Sequence, residues 1–232
     1  MAYYYVIILL LSFFIPLLYS FHPKTKFYKH FRIIAITIPL TSIPFIIWDF
    51  IFTKLAVWGF NNAYVSNIYF YNLPIEEILF FMIIPFCCLY TYFVIEKFNI
   101  SLIKVKEYYF YNIFLAAVLF ILSIYYIDNS YTFLCFFLCS VLLLLENVFF
   151  NKINYNYFYT TFFLIMIPFI IVNGALTGMF LGQIVVWYNP NCIIGLRLFT
   201  IPIEDSIYAF QLILSNLFLY KYALQYTSMD SR

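Results

Sequence analysis

Two pairs of adjacent acidic residues stand out in a chain of 232 residues that is 66% hydrophobic and only 9% charged. The pairs are Glu76–Glu77, within Pro-Ile-Glu-Glu, and Glu204–Asp205, within Pro-Ile-Glu-Asp. Acidic side chains inside apolar segments are costly, so a repeated acidic pair indicates a functional site. Carboxyl groups in such a setting can donate and accept protons, and the chemistry they indicate is general acid–base catalysis.

Each pair follows a proline, which suits the first position of a helix, so the acids lie in the first turn near the unpaired N–H groups. Successive helical residues point about 100° apart, and the two acids of a pair therefore face different ways. We expect one to cap the helix and the other to face the interior. Our hypothesis makes Glu76 and Glu204 the principal acid and base, in an order that stays open, so that Glu76→Gln and Glu204→Gln would each abolish activity.

Asp49 is a further candidate, because it lies at the end of a predicted helix on the same membrane face. Two interpretations remain open: an ion pair with Lys54, or a third member of the acidic cluster. Three tryptophans, Trp48, Trp58 and Trp187, lie near the same face. They are typical of interface anchors, but aromatic rings in a cavity would also stabilise a cation.

The elements that must position these residues are membrane helices, since roughly a quarter of residues are charged in soluble domains. About 20 apolar residues span a bilayer, which predicts an all-α integral membrane protein with about seven transmembrane helices. The predicted spans are residues 3–20, 31–51, 75–96, 108–127, 131–150, 159–180 and 203–223.

The distribution of basic residues predicts the orientation. Two of the 12 Lys and Arg residues, Lys54 and Arg197, fall on one side of the predicted membrane and ten on the other. The richer side is expected to be cytoplasmic. The protein is then integral to the cell membrane, with its N-terminus outside, its C-terminus in the cytoplasm and both acidic pairs at the outer face.

The spacing of 128 residues between Glu76 and Glu204 also aligns the first three predicted helices with the last three. It predicts two parallel three-helix repeats, residues 1–100 and 129–232, joined by a linker helix in residues 101–128. Sites in such architectures lie where the repeats meet. Leu176-Thr177 stands where the first repeat has Trp48-Asp49, which favours one asymmetric site.

Other classes of site are not indicated. The five cysteines include no C-x-x-C, and no metal site is expected. The sequence has neither a dinucleotide-binding nor a P-loop motif, so no cofactor is expected. A net charge of +2, with the basic residues in short clusters, does not indicate nucleic-acid binding.

The Trp48-Asp49 pair, the segment from Lys54 to Asn61 and both Pro-x-acid-acid motifs together resemble the membrane-integral lycopene β-cyclases of the heterodimeric type, with both halves in one chain. The resemblance covers essentially the whole sequence. It implies cofactor-independent conversion of the linear ψ ends of lycopene into β rings, giving γ-carotene and then β-carotene. Lycopene, γ-carotene and the lipid bilayer are the implied partners, with other carotenoid-pathway enzymes as further candidates.

By this resemblance, the four paired acids and Asp49 match the family's acidic motifs. The residues expected to contact the substrate are Trp48, Trp58, Asn61, Asn72, Asn173 and Trp187. Two other functions stay open: a small-solute transporter, since parallel repeats and membrane acids also occur in transporters, and a non-catalytic membrane subunit. Whether one or both ends are cyclised, the oligomeric state and any dependence on lipid or nucleotide do not follow from the sequence.

Overall fold

The computed structural model describes residues 3–104, 107–180, 182 and 184–229. Within these residues the chain forms seven α-helices, which confirms the predicted all-α class and helix number. Six of the helices are long and apolar enough to cross a membrane, and α1, with 17 residues, is shorter. The helices are α1 (Tyr4–Ser20), α2 (Phe31–Lys54), α3 (Ile75–Lys97), α4 (Tyr108–Tyr125), α5 (Ser130–Leu145), α6 (Tyr155–Leu176) and α7 (Ile203–Met229).

Helices α3 and α7 form the centre of the bundle. Helix α3 packs against α1, α2, α6 and α7, while α7 also packs against α2 and α5. Both helices bury large side chains along their length, such as Tyr92 in α3 and Tyr220 in α7, each 1% exposed. The linker helix α4 packs on α5. Because both central helices begin with an acidic pair, their packing brings the two pairs to one end of the bundle.

The last turn predicted for the sixth helix is wrong. Helix α6 covers Tyr155–Leu176, whereas the sequence predicted residues 159–180. The helix begins early because the Asn154 side chain accepts a hydrogen bond from the backbone N–H of Asn156 and so caps it. It ends early because Gly178 adopts a φ of +93°, which lies outside the helical region.

Short strands connect the helices at the acidic end. They are β1 (Trp58–Phe60), β2 (Tyr69–Phe70), β3 (Leu73–Pro74), β4 (Val186–Tyr188), β5 (Arg197–Leu198) and β6 (Ile201–Pro202). The hairpins β2–β3 and β5–β6 lead directly into α3 and α7. Their contacts recur at a spacing of 128 residues: Tyr71 and Phe199, one in each turn, have φ values of 56° and 58°.

Strands β1 and β4 pair with each other and lie over the acidic end of the bundle. The pairing is antiparallel, with Gly59 opposite Trp187. Backbone bonds flank it on both sides, from Asn61 N to Val185 O and from Asn189 N to Val57 O, at 2.8 Å each. These two bonds exchange positions that lie 128 residues apart, so the two connecting loops meet through equivalent residues.

Gly59 is required by close contact with Trp187. A Cβ atom added at Gly59 would lie 2.4 Å from Cζ2 of the Trp187 indole. We therefore expect Gly59→Ala to lower the free energy of unfolding by about 1 to 3 kcal/mol, the usual cost of overpacking. Thermal unfolding in detergent measures the loss. The double variant Gly59→Ala/Trp187→Ala should recover stability relative to Gly59→Ala, and no recovery would show that the indole is not the cause.

Candidate active site

The first acid of each pair holds the loop that precedes its helix. Glu76 Oε1 accepts a hydrogen bond from the backbone N–H of Ser66 at 2.6 Å. Glu204 Oε1 accepts from Ile194 N at 2.7 Å and from the Thr132 hydroxyl at 2.6 Å. Both carboxyl groups are 0% exposed. Each bond reaches back ten residues and fastens a connecting loop onto the start of α3 or α7.

The expectation that Glu76 and Glu204 meet between the repeats is therefore wrong. The division of each pair into one local and one interior acid is as predicted, but the assignment within the pair is reversed. Glu77 and Asp205 face the interior, because adjacent helical positions differ by about 100° and the first acid is taken by its loop.

Three carboxyl groups, from Asp49, Glu77 and Asp205, line one cavity of about 800 Å³. The volume lies within the usual range for small-molecule sites. Each carboxyl comes from a different helix, α2, α3 or α7. Among the described residues the ion pair is Lys221–Glu96, at the opposite ends of α3 and α7. The three acids therefore share a mostly apolar site without a basic partner.

Asp205 is the most extensively bonded of the three. Its Oδ1 accepts from the Tyr131 hydroxyl at 2.7 Å, and its Oδ2 accepts from the Tyr188 hydroxyl at 2.8 Å and from Asn173 Nδ2 at 3.3 Å. Burial, with a contribution from nearby Asp205, raises the pKa of the Tyr188 phenol well above its usual range. Tyr188 therefore stays protonated and donates, and the three donors stabilise a carboxylate at Asp205.

Glu77 and Asp49 each have one side-chain donor. The Tyr5 hydroxyl donates to Glu77 Oε2 at 2.6 Å, and the Trp58 indole N–H donates to Asp49 Oδ1. Asp49 Oδ2 is buried and has no partner among the described residues. Lys54 is exposed, and of the two interpretations left open for Asp49 the structure favours membership of the acidic cluster.

The cavity continues as a groove along the helices. Its lining on α3 runs from Glu77 to Thr91, which corresponds to about 21 Å of helix. Apolar residues of α1 and α6 form its sides. Of these, Leu11, Ile15 and Ile171 are 69%, 62% and 55% exposed, so the groove is open between α1 and α6. In a bilayer this opening faces hydrocarbon.

The groove has no open counterpart on the equivalent side of the described bundle, between α2 and α5. Aromatic side chains fill that side: Trp48 packs 6.4 Å from the Tyr131 ring and 5.0 Å from the Tyr208 ring, and Phe45 lies beside it. Asn173 and Leu176 of α6 occupy the positions that correspond to Phe45 and Trp48 and line the groove. The smaller side chains of α6 explain why the open site is on its side.

Two of the six residues predicted to contact substrate, Trp58 and Asn173, line the groove, and the other four do not. Trp48 is buried behind the lining, and the Trp187 indole covers Gly59. Asn61 lies exposed in a loop, where its Oδ1 accepts from Ala63 N. Asn72 donates to the carbonyl of Phe50 and so supports its hairpin at the end of α2.

Four tyrosines of the site were not predicted from the sequence. Tyr5, Tyr131, Tyr188 and Tyr208 all line the groove, and the first three bind a carboxyl group. The chain has 24 tyrosines, and membrane-interface tyrosines hide the few that face a site. The useful signal is position, since Tyr5 and Tyr131 both lie near the start of the first helix of their repeat.

No group of three or more His, Cys, Asp or Glu side chains suited to a metal ion occurs in the described ranges 3–104, 107–180 and 184–229. The polar groups of the site are carboxyl, phenol, indole and amide groups around an apolar groove. This arrangement can move protons to and from a hydrophobic molecule and can surround a positive charge with aromatic rings.

Comparison with known proteins identifies the family. No curated protein and no solved structure matches the chain. The sequence model of the family described as lycopene cyclase matches residues 2–95 and 128–223. The matched regions contain all three carboxyl groups of the groove and both loop-holding glutamates. The chain belongs to the lycopene cyclase family.

Proposed function

We propose that this membrane protein is a lycopene β-cyclase that closes the ψ ends of lycopene into β rings by acid–base catalysis. The observation that carries the proposal is the meeting of Asp49, Glu77 and Asp205 at one end of an apolar groove that is open to the lipid. Ring closure needs a proton donor, a proton acceptor and a site that holds a hydrocarbon. It is redox-neutral, so the proposal includes no cofactor and no metal.

Asp49 and Glu77 form the proton-donating pair in this proposal. Their carboxyl groups are close enough to interact electrostatically, and neither has a basic partner. Two neighbouring carboxyl groups in an apolar site cannot both ionise readily, so they share a proton. Asp49 presents its unbonded Oδ2 and delivers that proton to the terminal double bond of the substrate.

Asp205 is the base. Three donors hold its carboxylate, as described above, and fix its orientation at the start of α7. After protonation, the next double bond attacks the tertiary cation and closes the ring. Asp205 then removes a ring proton, which forms the β-ring double bond. One proton enters and one leaves for each ring.

Aromatic rings surround the carboxyl groups and stabilise the cationic intermediate. The ring of Trp58 lies 4.9 Å from that of Tyr131, which in turn lies 6.1 Å from that of Tyr188. Each contact between a cation and a ring face contributes about 0.5 to 2 kcal/mol. The apolar groove also keeps water away from the cation, which would otherwise be captured as an alcohol.

The dimensions of the groove support binding of one substrate end at a time. Lycopene is about as long as a bilayer is thick, roughly 30 Å, and the groove extends over about 21 Å. One ψ end reaches the acids while the rest of the chain leaves between α1 and α6. The monocyclic product, γ-carotene, leaves and returns with its other end to give β-carotene. We further propose that the acidic end lies at the outer face, as the charge distribution predicts.

Conversion of lycopene by the purified protein in liposomes tests this function. With the enzyme in molar excess and equilibrated in heavy water, we expect γ-carotene and β-carotene by chromatography, with one deuterium in each ring by mass spectrometry, because the proton added comes from an exchanged carboxyl. Unchanged lycopene with well-folded protein would contradict the cyclase function. If a solute moves across the liposomes instead, the transporter interpretation is favoured.

A further inference from the structure

The groove contains one more unbonded polar group, the hydroxyl of Tyr208. Its Oη is buried and has no hydrogen-bond partner among the described residues, although a buried hydroxyl is normally bonded. Tyr208 lines the groove together with the three carboxyl groups. Phe80 occupies the corresponding position in the first repeat and also lines the groove, so packing there does not require a hydroxyl.

Tyr208 lies next to both the donor and the base. It follows Asp205 by three residues on α7, a spacing that puts both side chains on one helix face. Its ring is 5.0 Å from the ring of Trp48, the neighbour of Asp49 on α2. Asp49 Oδ2 is the other unbonded oxygen at this end of the groove. The two atoms are not bonded to each other, and one bridging water would connect them.

The acidic end is covered on the loop side by apolar residues. Val57, Val65 and Val185 are 3%, 0% and 0% exposed and lie in the segments that form or follow the β1–β4 ribbon. The open side of the groove faces hydrocarbon. After each ring is closed the donor pair has lost a proton and Asp205 has gained one, and neither surface offers a ready exchange with bulk water.

We propose that the proton taken up by Asp205 is returned to the donor pair inside the groove, with the Tyr208 hydroxyl as the link. This inference rests on the proposed cyclase function. A phenol both accepts and donates a hydrogen bond. Tyr208 Oη receives the proton from Asp205 while its own proton passes to Asp49. The exchange leaves the three groups as they were before the ring closed, and no electrons are transferred.

Internal return has a signature in heavy water that a purely structural tyrosine lacks. The proton that Asp205 removes comes from the substrate and is ordinary hydrogen. With lycopene in large excess over enzyme equilibrated in heavy water, we expect less than one deuterium in each ring, because hydrogen from one ring is used for the next. One deuterium in each ring at every ratio of substrate to enzyme would overturn the proposal, and this measurement requires no variant.

Tyr208→Phe removes only the hydroxyl. We expect the rate of the first ring closed by each enzyme to change little, the steady-state rate to fall about 10- to 100-fold, and the deuterium content to rise towards one in each ring. Tyr64→Phe is the matched control: it removes a hydroxyl from a tyrosine that packs on α1 outside the groove, and should leave both quantities unchanged. Wild-type rate and labelling in Tyr208→Phe would rule out Tyr208 as the link. Absence of conversion by the wild-type protein would instead contradict the proposed function itself.

Discussion

Glu77→Gln is expected to reduce ring closure by about 1,000-fold, whereas Glu76→Gln, one residue away, retains most of the activity. Proton transfer by a positioned carboxyl contributes roughly 100- to 10,000-fold, and an amide cannot replace it. Gln at position 76 keeps an oxygen that accepts the N–H of Ser66, so the loop before α3 stays in place. Conversion of lycopene to γ-carotene by purified variants in liposomes measures the contrast.

The second acidic pair provides the matched comparison. Asp205→Asn should be as inactive as Glu77→Gln, and Glu204→Gln should resemble Glu76→Gln, because its oxygen also accepts backbone and hydroxyl donors. Thermal unfolding in detergent confirms that each variant is folded. Inactive but folded Glu76→Gln and Glu204→Gln, with active Glu77→Gln and Asp205→Asn, would restore the assignment made from the sequence and contradict the one made from the groove.

Ala209→Phe is expected to close the groove and to lower activity on the order of 100-fold or more, since even small displacements of a substrate have effects of this size. Ala209 of α7 lines the groove, and the corresponding residue in the first repeat is Phe81, which is 1% exposed in the filled half of the bundle. The substitution therefore gives the second repeat the side chain of the first. It adds volume to open space, so the fold should tolerate it.

Leu10→Phe is the control for this substitution. Leu10 of α1 is 57% exposed and lies outside the groove lining, where a larger ring meets only lipid. Both variants should unfold at temperatures close to that of the wild type, and only Ala209→Phe should lose conversion of lycopene. Full activity of a well-folded Ala209→Phe variant would show that the substrate does not occupy this groove.

The architecture was predictable because it depends on local properties of the chain. Apolar length predicted the seven helices, and proline followed by acids predicted the starts of α3 and α7. In hydrocarbon a helix satisfies its own backbone groups, so these features leave few alternatives. The end of α6 was less predictable: Gly178, four residues after Gly174, fits either a helical stripe of small residues or a turn, and its φ of +93° decides for the turn.

The site was predictable in its residue types but not in its assignments. Asp49, Glu77 and Asp205 were all candidates, whereas the preference for Glu76 and Glu204 was reversed by loops that return ten residues to bind them. Such long connections have no periodicity that a sequence reveals. The tyrosines illustrate the same limit, because which hydroxyl reaches a carboxyl depends on how helices from different parts of the chain pack.

The sequence by itself determined that two acidic pairs begin two membrane helices at one end of the protein. Only the tertiary structure decided which acid of each pair faces the groove, and that a single groove exists on the side of α6. The physical reason is that burial and hydrogen bonding depend on neighbours distant in the chain. Side-chain volume at corresponding positions, Trp48 in one repeat and Leu176 in the other, then leaves space on one side only.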